Sequence, residues 1–275
     1  MSGSDKAAGA KTRLDVLLVA RGLAASRTLA QALVLEGKVR VGGQVETKAS
    51  RQVEATADVA VEAPPRFVSR GGEKLEGAFE KFGQRTDGDA LDVAGKVCLD
   101  VGSSTGGFTD CLLQHGAARV MAVDVGTNQL AYKLRADPRV WVRENYNARF
   151  MKAADLPETP SVAVTDVSFI SLRLILPPIR DVLAPGGRIV ALIKPQFEVG
   201  KGKAPGGLVR DEALREEARD GIVRFATGTL GLRLLGLAES PIRGKEMGNV
   251  EYLSYWEKMR RPSRHIPPQL GRDSA

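Results

Sequence analysis

Val97-Cys-Leu-Asp100-Val-Gly102-Ser-Ser-Thr-Gly-Gly-Phe108 is the stretch on which the reading of this chain turns. Val97 to Val101 is a short apolar run that ends at a glycine, the pattern of a buried strand. Ser103 to Phe108 then makes a tight turn into a helical stretch expected over Thr109 to His115. Glycines at 102, 106 and 107 let the backbone approach a ligand closely, and the helix N-terminus beyond them presents unpaired N–H groups. The spacing departs from G-x-G-x-x-G, because Ser104 stands where the second glycine would be. That weakens a pyrophosphate site and leaves room for a ligand without phosphates, such as S-adenosylmethionine. Asp100, Gly102, Ser103, Ser104, Gly106, Gly107 and Phe108 are therefore the candidate cofactor-binding residues of this turn.

Outward from the turn, a second apolar run, Arg119 to Val123, ends in Asp124. A carboxylate at that distance downstream meets ribose hydroxyls in doubly wound nucleotide sites, although the same context would suit a cap on a helix beginning near Thr127. The further runs Val162 to Val164, Arg188 to Ile193, Leu232 to Ala238 and Val250 to Tyr255 alternate with helical stretches. This predicts an α/β fold with a doubly wound, Rossmann-like, mostly parallel sheet whose last two strands pair antiparallel.

At 275 residues with 43% hydrophobic content, the chain holds one such domain and something smaller. A net charge of +7 points to a polyanionic partner, nucleic acid first. Cys98 and Cys111 make no disulfide framework and fit a reducing cytoplasm. Nothing approaches the ~18 uninterrupted apolar residues of a membrane span, and the small polar start lacks a signal-peptide core. His115 and His265 are too isolated for a metal site, so no metal is expected. Residues 1–11 and the basic tail 262–275 are expected to be disordered.

From Arg13 onward lies a compact unit, expected over 12–62: a helix at Leu14 to Leu18, a second opened by Ser26-Arg27 and running to Leu35, and a hairpin over Val39 to Val45. Arg13-Leu-Asp15, Ser26-Arg27 and Glu36-Gly-Lys-Val-Arg-Val-Gly-Gly43 resemble an S4 RNA-binding domain over its whole length. The resemblance implies a basic face for RNA phosphates, here Arg13, Arg21, Arg27, Lys38 and Arg40. Ala63 to Gly71 reads as a linker, from its Pro and Gly pairs, and the large domain is expected over 72–261.

Four charged residues then stand at the edges of elements: Lys74 at a helix start, Asp166 and Lys194 after two strand runs, and Glu251 at the last. Ligands in open α/β sheets bind beyond the carboxyl ends of the strands, so Asp166 and Lys194 point at the cofactor crevice. SRGGEKL, LDVGSSTGGFTD, VTDVSFISL, LIKPQFE and GNVEYL together resemble the FtsJ-like ribose methyltransferases and, with the S4 unit in front, the TlyA family. That resemblance implies S-adenosylmethionine-dependent 2'-O-methylation of cytidines in small- and large-subunit ribosomal RNA, with a catalytic tetrad on Lys74, Asp166, Lys194 and Glu251. It implies ribosomal RNA or subunits as partners, not DNA or membrane, for a cytoplasmic monomer or weak homodimer. It also brings Asn145 to the adenine.

The chemistry needs these residue types. A ribose hydroxyl is a poor nucleophile until a base takes its proton, and Lys194 is the candidate. A free lysine is protonated at neutral pH, so burial, the sulfonium charge and Lys74 must favour its neutral form. Arg70, Lys201 and Lys203 border the same edge and are further candidates for RNA contact. A non-catalytic rRNA-binding assembly factor is the alternative; a membrane-active haemolysin lacks its apolar segment.

Overall fold

The computed structural model describes residues 11–63, 65–200, 202–244 and 247–260. The expected disordered tails therefore lie outside the described residues, apart from Lys11 at one and Lys201 falls outside as well. The chain divides into two compact units, Met1–Pro65 and Arg66–Ala275.

In the small unit, Lys11–Arg13 (β1) runs into Leu14–Ala20 (α1), which buries Leu14, Leu17 and Leu18. Ser26 caps Arg27–Leu35 (α2), its Oγ accepting the Leu29 N–H at 3.2 Å, as its place before the helix foretells. Val39–Val41 (β2) and Gln44–Glu46 (β3) form the expected hairpin around Gly42 and Gly43, at φ 57° and 79°, backbone that side chains resist. Gln52–Glu54 (β4) pairs with β1, and Val59–Val61 (β5) pairs with β2. These two strands went unread in the sequence, since three residues are too few to show an alternation. Lys11, expected in a disordered tail, lies opposite Glu54 in the ladder.

The large unit runs Gly71–Phe82 (α3), Val97–Val101 (β6), Gly107–Gln114 (α4), Arg119–Val123 (β7), Tyr132–Arg135 (α5), Val140–Arg143 (β8), Val162–Thr165 (β9), Leu172–Val182 (α6), Arg188–Ile193 (β10), Glu212–Arg224 (α7), Leu232–Glu239 (β11) and Tyr252–Lys258 (β12). One sheet takes the order β11-β12-β10-β9-β6-β7-β8. β10, β9, β6, β7 and β8 are parallel, whereas β12 is antiparallel to both β10 and β11, as expected of the last two runs. Apolar layers cover both faces, Leu75, Phe79, Leu112 and Tyr255 on one and Leu99, Leu176, Ile179 and Trp256 on the other. A strand buried on both faces reads as a continuous apolar run, which is why β6, β7, β9 and β10 were visible in the sequence.

The winding reverses between β6 and β9, which pair although β7 and β8 intervene in the chain. In open α/β sheets this switch point is where a crevice opens beyond the strand ends. There α3 and α4 approach backbone to backbone: a Cβ on Gly107 would fall 2.7 Å from Gly72 N and 2.4 Å from Ser69 Oγ.

Candidate active site

The glycine turn is built before any ligand arrives. Gly102 and Gly106 have φ 84° and 97°, and Ser104 takes φ 48° without being glycine. Gly102 and Ser103 N–H groups donate to the Val123 carbonyl at 2.8 and 3.2 Å. Asp124, 9% exposed, accepts the Ser104 N–H at 2.8 Å on one oxygen and the Gly126 N–H at 2.6 Å on the other. It ties the turn to the end of β7 and does not cap a helix, and each oxygen keeps capacity for a further donor. Ser103 and Phe108 are buried beside it.

Asp100 lies beneath the turn, fully buried, with one oxygen accepting Thr109 Oγ1–H at 2.7 Å and the other without a hydrogen-bond partner. Burial pushes its carboxyl up to about 7, against the Thr109 bond and with help from the charges of Asp166 and Asp124. It fastens α4 to β6 rather than lining the crevice. Gly106 likewise faces inward: its missing Cβ would strike Leu134 at 2.3 Å.

Three cavities follow one another across the strand ends. The first, about 560 Å³, is bounded by Gly102, Ser104, Asp124, Tyr146, Asn147 and Val167 among others. The second, about 660 Å³, takes in Arg70, Lys74, Gly102 to Thr105, Gly107, Phe108, Asp166 and Lys194. The third, about 360 Å³, is walled by Phe169, Phe197, Gly207, Met247, Asn249 and Glu251 along with both lysines. Ser168 lines all three.

The four charged positions come together where the cavities meet. Lys74 comes from the first turns of α3, while Asp166 follows β9, Lys194 follows β10 and Glu251 immediately precedes β12. Glu251 Oε2 lies 2.7 Å from Lys74 Nζ, which lies 3.4 Å from Asp166 Oδ2; Lys194 Nζ is 2.7 Å from Asp166 Oδ1. Lys74, Lys194 and Glu251 are buried at 8, 7 and 2% exposure. Two cations face two anions, so neither sign is left uncompensated inside the protein. Lys194 Nζ also donates to Ser168 Oγ at 2.8 Å.

Other expected positions fall differently. Asn145 takes φ 54° and gives its N–H to the Gly126 carbonyl, a turn residue outside the cavity lining, and the following Tyr146 and Asn147 line the cavity instead. Arg13 and Arg27 both bind the buried Asp15, Arg13 through two bonds of 3.0 and 2.9 Å and Arg27 at 3.0 Å, with Gln31 adding a fourth bond. Arg21 donates to the Ala57 and Ala55 carbonyls, Lys38 pairs with Glu36 at 2.5 Å, and Arg40 reaches the Gly43 carbonyl at 3.3 Å. Arg70 is exposed at the entrance to α3. Lys203 lines a separate cavity of about 150 Å³ with Arg173, Glu198 and Glu217, although its neighbours Ala204, Gly206 and Gly207 do wall the third cavity.

Sequence reasoning passed over Ser168, Phe169, Phe197 and Asn249. Phe169 is 82% exposed at φ 63°, strained for an aromatic residue, with Phe197 at 5.3 Å between ring centres. That exposure has no packing purpose. Buried Asn249 accepts the Val209 N–H at 3.0 Å and donates to the Gly207 carbonyl at 2.7 Å, holding the glycine-rich loop in place. His115, read as isolated, lies 2.8 Å from Glu76 with Cys111 close by; the other Glu76 oxygen pairs with Arg66 at 2.8 Å.

With the geometry in place, the family model described as FtsJ-like methyltransferase matches residues 67–258. The chain is an FtsJ-like methyltransferase. An S4 domain matches residues 12–59 in front of it. Among relatives of this FtsJ-like chain is the 16S/23S rRNA (cytidine-2'-O)-methyltransferase TlyA of Mycobacterium tuberculosis, 45% identical over 245 residues, 88% of each chain. Hemolysin A of Brachyspira hyodysenteriae is 44% identical over 246 residues, 89% of this chain and 99% of that one. The solved structure of a putative hemolysin from Streptococcus thermophilus superposes with TM-score 0.68 at 41% identity, covering 94% of this chain and 92% of that one. Despite the haemolysin names, no described helix of this FtsJ-like chain is long and apolar enough to cross a membrane.

Proposed function

We propose that this methyltransferase transfers a methyl group from S-adenosylmethionine to the ribose 2'-hydroxyl of a cytidine in ribosomal RNA, of the small or large subunit or both. One observation carries the reading: a buried, charge-balanced Lys-Asp-Lys-Glu chain at the junction of a glycine-turn cavity and an aromatic-walled one. The relatives named as rRNA cytidine-2'-O-methyltransferases supply the substrate.

The first cavity fits the cofactor. Gly102 is glycine because a Cβ there would stand 2.9 Å from Val167 Cγ1, and its absence keeps the turn open over the cavity. Asp124 would take the ribose hydroxyls, the Gly102 to Ser104 backbone the amino-acid end, and Tyr146 and Asn147 the adenine side. When bound, the group supplies an electrophilic methyl on a sulfonium.

The chain's own residues do the rest. Lys194, in its neutral form, accepts the 2'-hydroxyl proton as that oxygen takes the methyl. Asp166 holds Lys194 from one side and Lys74 from the other, and Glu251 pairs with Lys74, so the four form one continuous chain of ion pairs. Phe169 and Phe197 offer faces on which an unstacked base can rest, which suits single-stranded or flipped RNA nucleotides. The small unit, over 12–62, supplies affinity through phosphates, in a cytoplasmic protein that acts on ribosomal subunits as a monomer or weak homodimer.

The test is transfer of labelled methyl to ribosomal subunits lacking the modification, by wild type and Lys194→Ala, with nuclease mapping of the product. Label in 2'-O-methylcytidine, lost in the variant, is the expected result. Binding of RNA without any transfer by wild type would overturn it.

A further inference from the structure

Lys194 has a second fixed partner besides Asp166. Its Nζ lies 2.7 Å from Asp166 Oδ1 and donates to Ser168 Oγ at 2.8 Å, with the Asp166 carbonyl more distant at 3.5 Å. Ser168 is also the residue shared by all three cavities. From these contacts we infer that Ser168 is a positioning residue for methyl transfer, its hydroxyl aiming the Lys194 amine; this rests on the function proposed above.

The argument is geometric. A neutral amine has two N–H groups and one lone pair, arranged tetrahedrally. Ser168 Oγ takes one N–H and the Asp166 carbonyl, at 3.5 Å, the other, while Asp166 Oδ1 at 2.7 Å is an ion-pair neighbour without hydrogen-bond alignment; the lone pair is left with one direction, away from both acceptors. Both acceptors stand on the loop after β9, and Lys194 lines two of the cavities, so we take the remaining direction to be the one that opens towards them. The proton taken from the ribose hydroxyl then becomes the third N–H, and the two older bonds need not change. With Asp166 alone the amine rotates about its Cε–Nζ bond, and its lone pair points at the hydroxyl for only part of the time.

The loop that carries Ser168 is itself clamped. Glu198, four residues beyond Lys194, accepts the Ser171 hydroxyl at 2.6 Å and the Leu172 N–H at 2.8 Å, fastening the far end of the 166–171 segment to the segment that follows β10. The strained Phe169, at φ 63°, sits between the two anchors. Within the VTDVSFISL stretch Ser168 is not singled out by residue type, because a serine beside an aromatic residue in a loop is ordinary.

The experiment measures methyl transfer to unmodified ribosomal subunits by full-length wild type, Ser168→Ala and Ser168→Thr, with equilibrium binding of S-adenosylmethionine and thermal unfolding of each. Ser168→Ala is expected to lower kcat about 10- to 100-fold, the scale of a misaimed reacting group. KM for RNA, cofactor affinity and unfolding temperature should stay near wild type, while the pH dependence of kcat should be altered. Ser168→Thr, which keeps the hydroxyl, is expected to recover most of the loss. An unchanged kcat in Ser168→Ala overturns the inference, as does a loss matched by an equal fall in cofactor affinity or stability, which would mark a merely structural serine. Absence of transfer by wild type overturns the methyltransfer reading and this inference with it, whereas transfer by wild type and Ser168→Ala alike sinks only the role of Ser168.

Discussion

Each unit places one carboxylate between two cations, and the two arrangements serve opposite ends. In the small unit Asp15 is buried completely while its partners Arg13 and Arg27 keep 38 and 55% of their side chains in solvent. In the large unit Asp166 faces the cavities while its partners Lys74 and Lys194 are nearly hidden, at 10 and 8%. The first arrangement uses guanidinium groups, which hold their charge and several bonds at once; the second uses ammonium groups, which can surrender a proton. A buried anion beneath exposed arginines is an anchor for a surface. Buried lysines beside an open cavity are a place for proton transfer.

That contrast predicts, with the largest effect, that Lys194→Arg is as inactive as Lys194→Ala. Both should lose about 10²- to 10⁴-fold in kcat, because charge without the ability to deprotonate is useless there, while S-adenosylmethionine binding persists. Single-turnover transfer and equilibrium binding separate the two quantities. A Lys194→Arg enzyme with substantial activity would erase the distinction between the units.

The next effect concerns the small unit and acid. Asp15 is held well below the usual carboxylate range, chiefly by the Arg13 hydrogen bond, then by Gln31 and Arg27, with burial opposing. A carboxyl lowered in the folded state gives stability that is complete above its unfolded value, near 4, and is lost as pH falls through the folded value. The protection factors of α1 and α2 amide protons in the full chain should therefore fall below about pH 4. In Asp15→Asn that acid dependence should be flatter, with the unit less stable by about 2 kcal/mol at neutral pH for want of charge-assisted bonds.

Smaller still, Lys38→Ala should weaken RNA binding a few-fold and reduce its salt dependence by about one counterion, since Lys38 is paired with the exposed Glu36. Arg13→Ala mixes the loss of a proposed phosphate contact with a loosened anchor and should also speed exchange in α1. The smallest effect belongs to Lys203→Ala, expected within about twofold of wild type in binding and transfer, because an exposed charge is largely screened. A large effect there would bring the glycine-rich loop into RNA recognition.

Much of the large unit was legible in the sequence because its parallel strands are buried on both faces and its charged residues interrupt them at their ends. Lys74, Asp166, Lys194 and Glu251 each stood where an apolar run started or stopped. The small unit was harder: β4 and β5 are three residues each, below the length at which a period shows. Asn145 and Asn147 look alike in sequence, and only the left-handed turn at Asn145 decides which one lines the cavity. Arginines offered to RNA could not be told from arginines engaged by Asp15, Ala55 and Ala57, since those partners are chosen by tertiary folding. Ser168 and Phe169 lie inside the VTDVSFISL stretch, yet neither a period nor a charge singled either of them out.

The absence of a side chain at Gly107 has a consequence for how this scaffold diversifies. The helix bearing Lys74 and the turn proposed to cradle the methyl donor are in contact with no room for a methyl group between them, so their spacing is set by that contact. Neither can be re-aimed without the other. A change of target nucleotide therefore has to be written in the walls, in the Phe169 segment and the loop that Asn249 pins, where residues can be exchanged while the donor and its proton acceptor keep their distance.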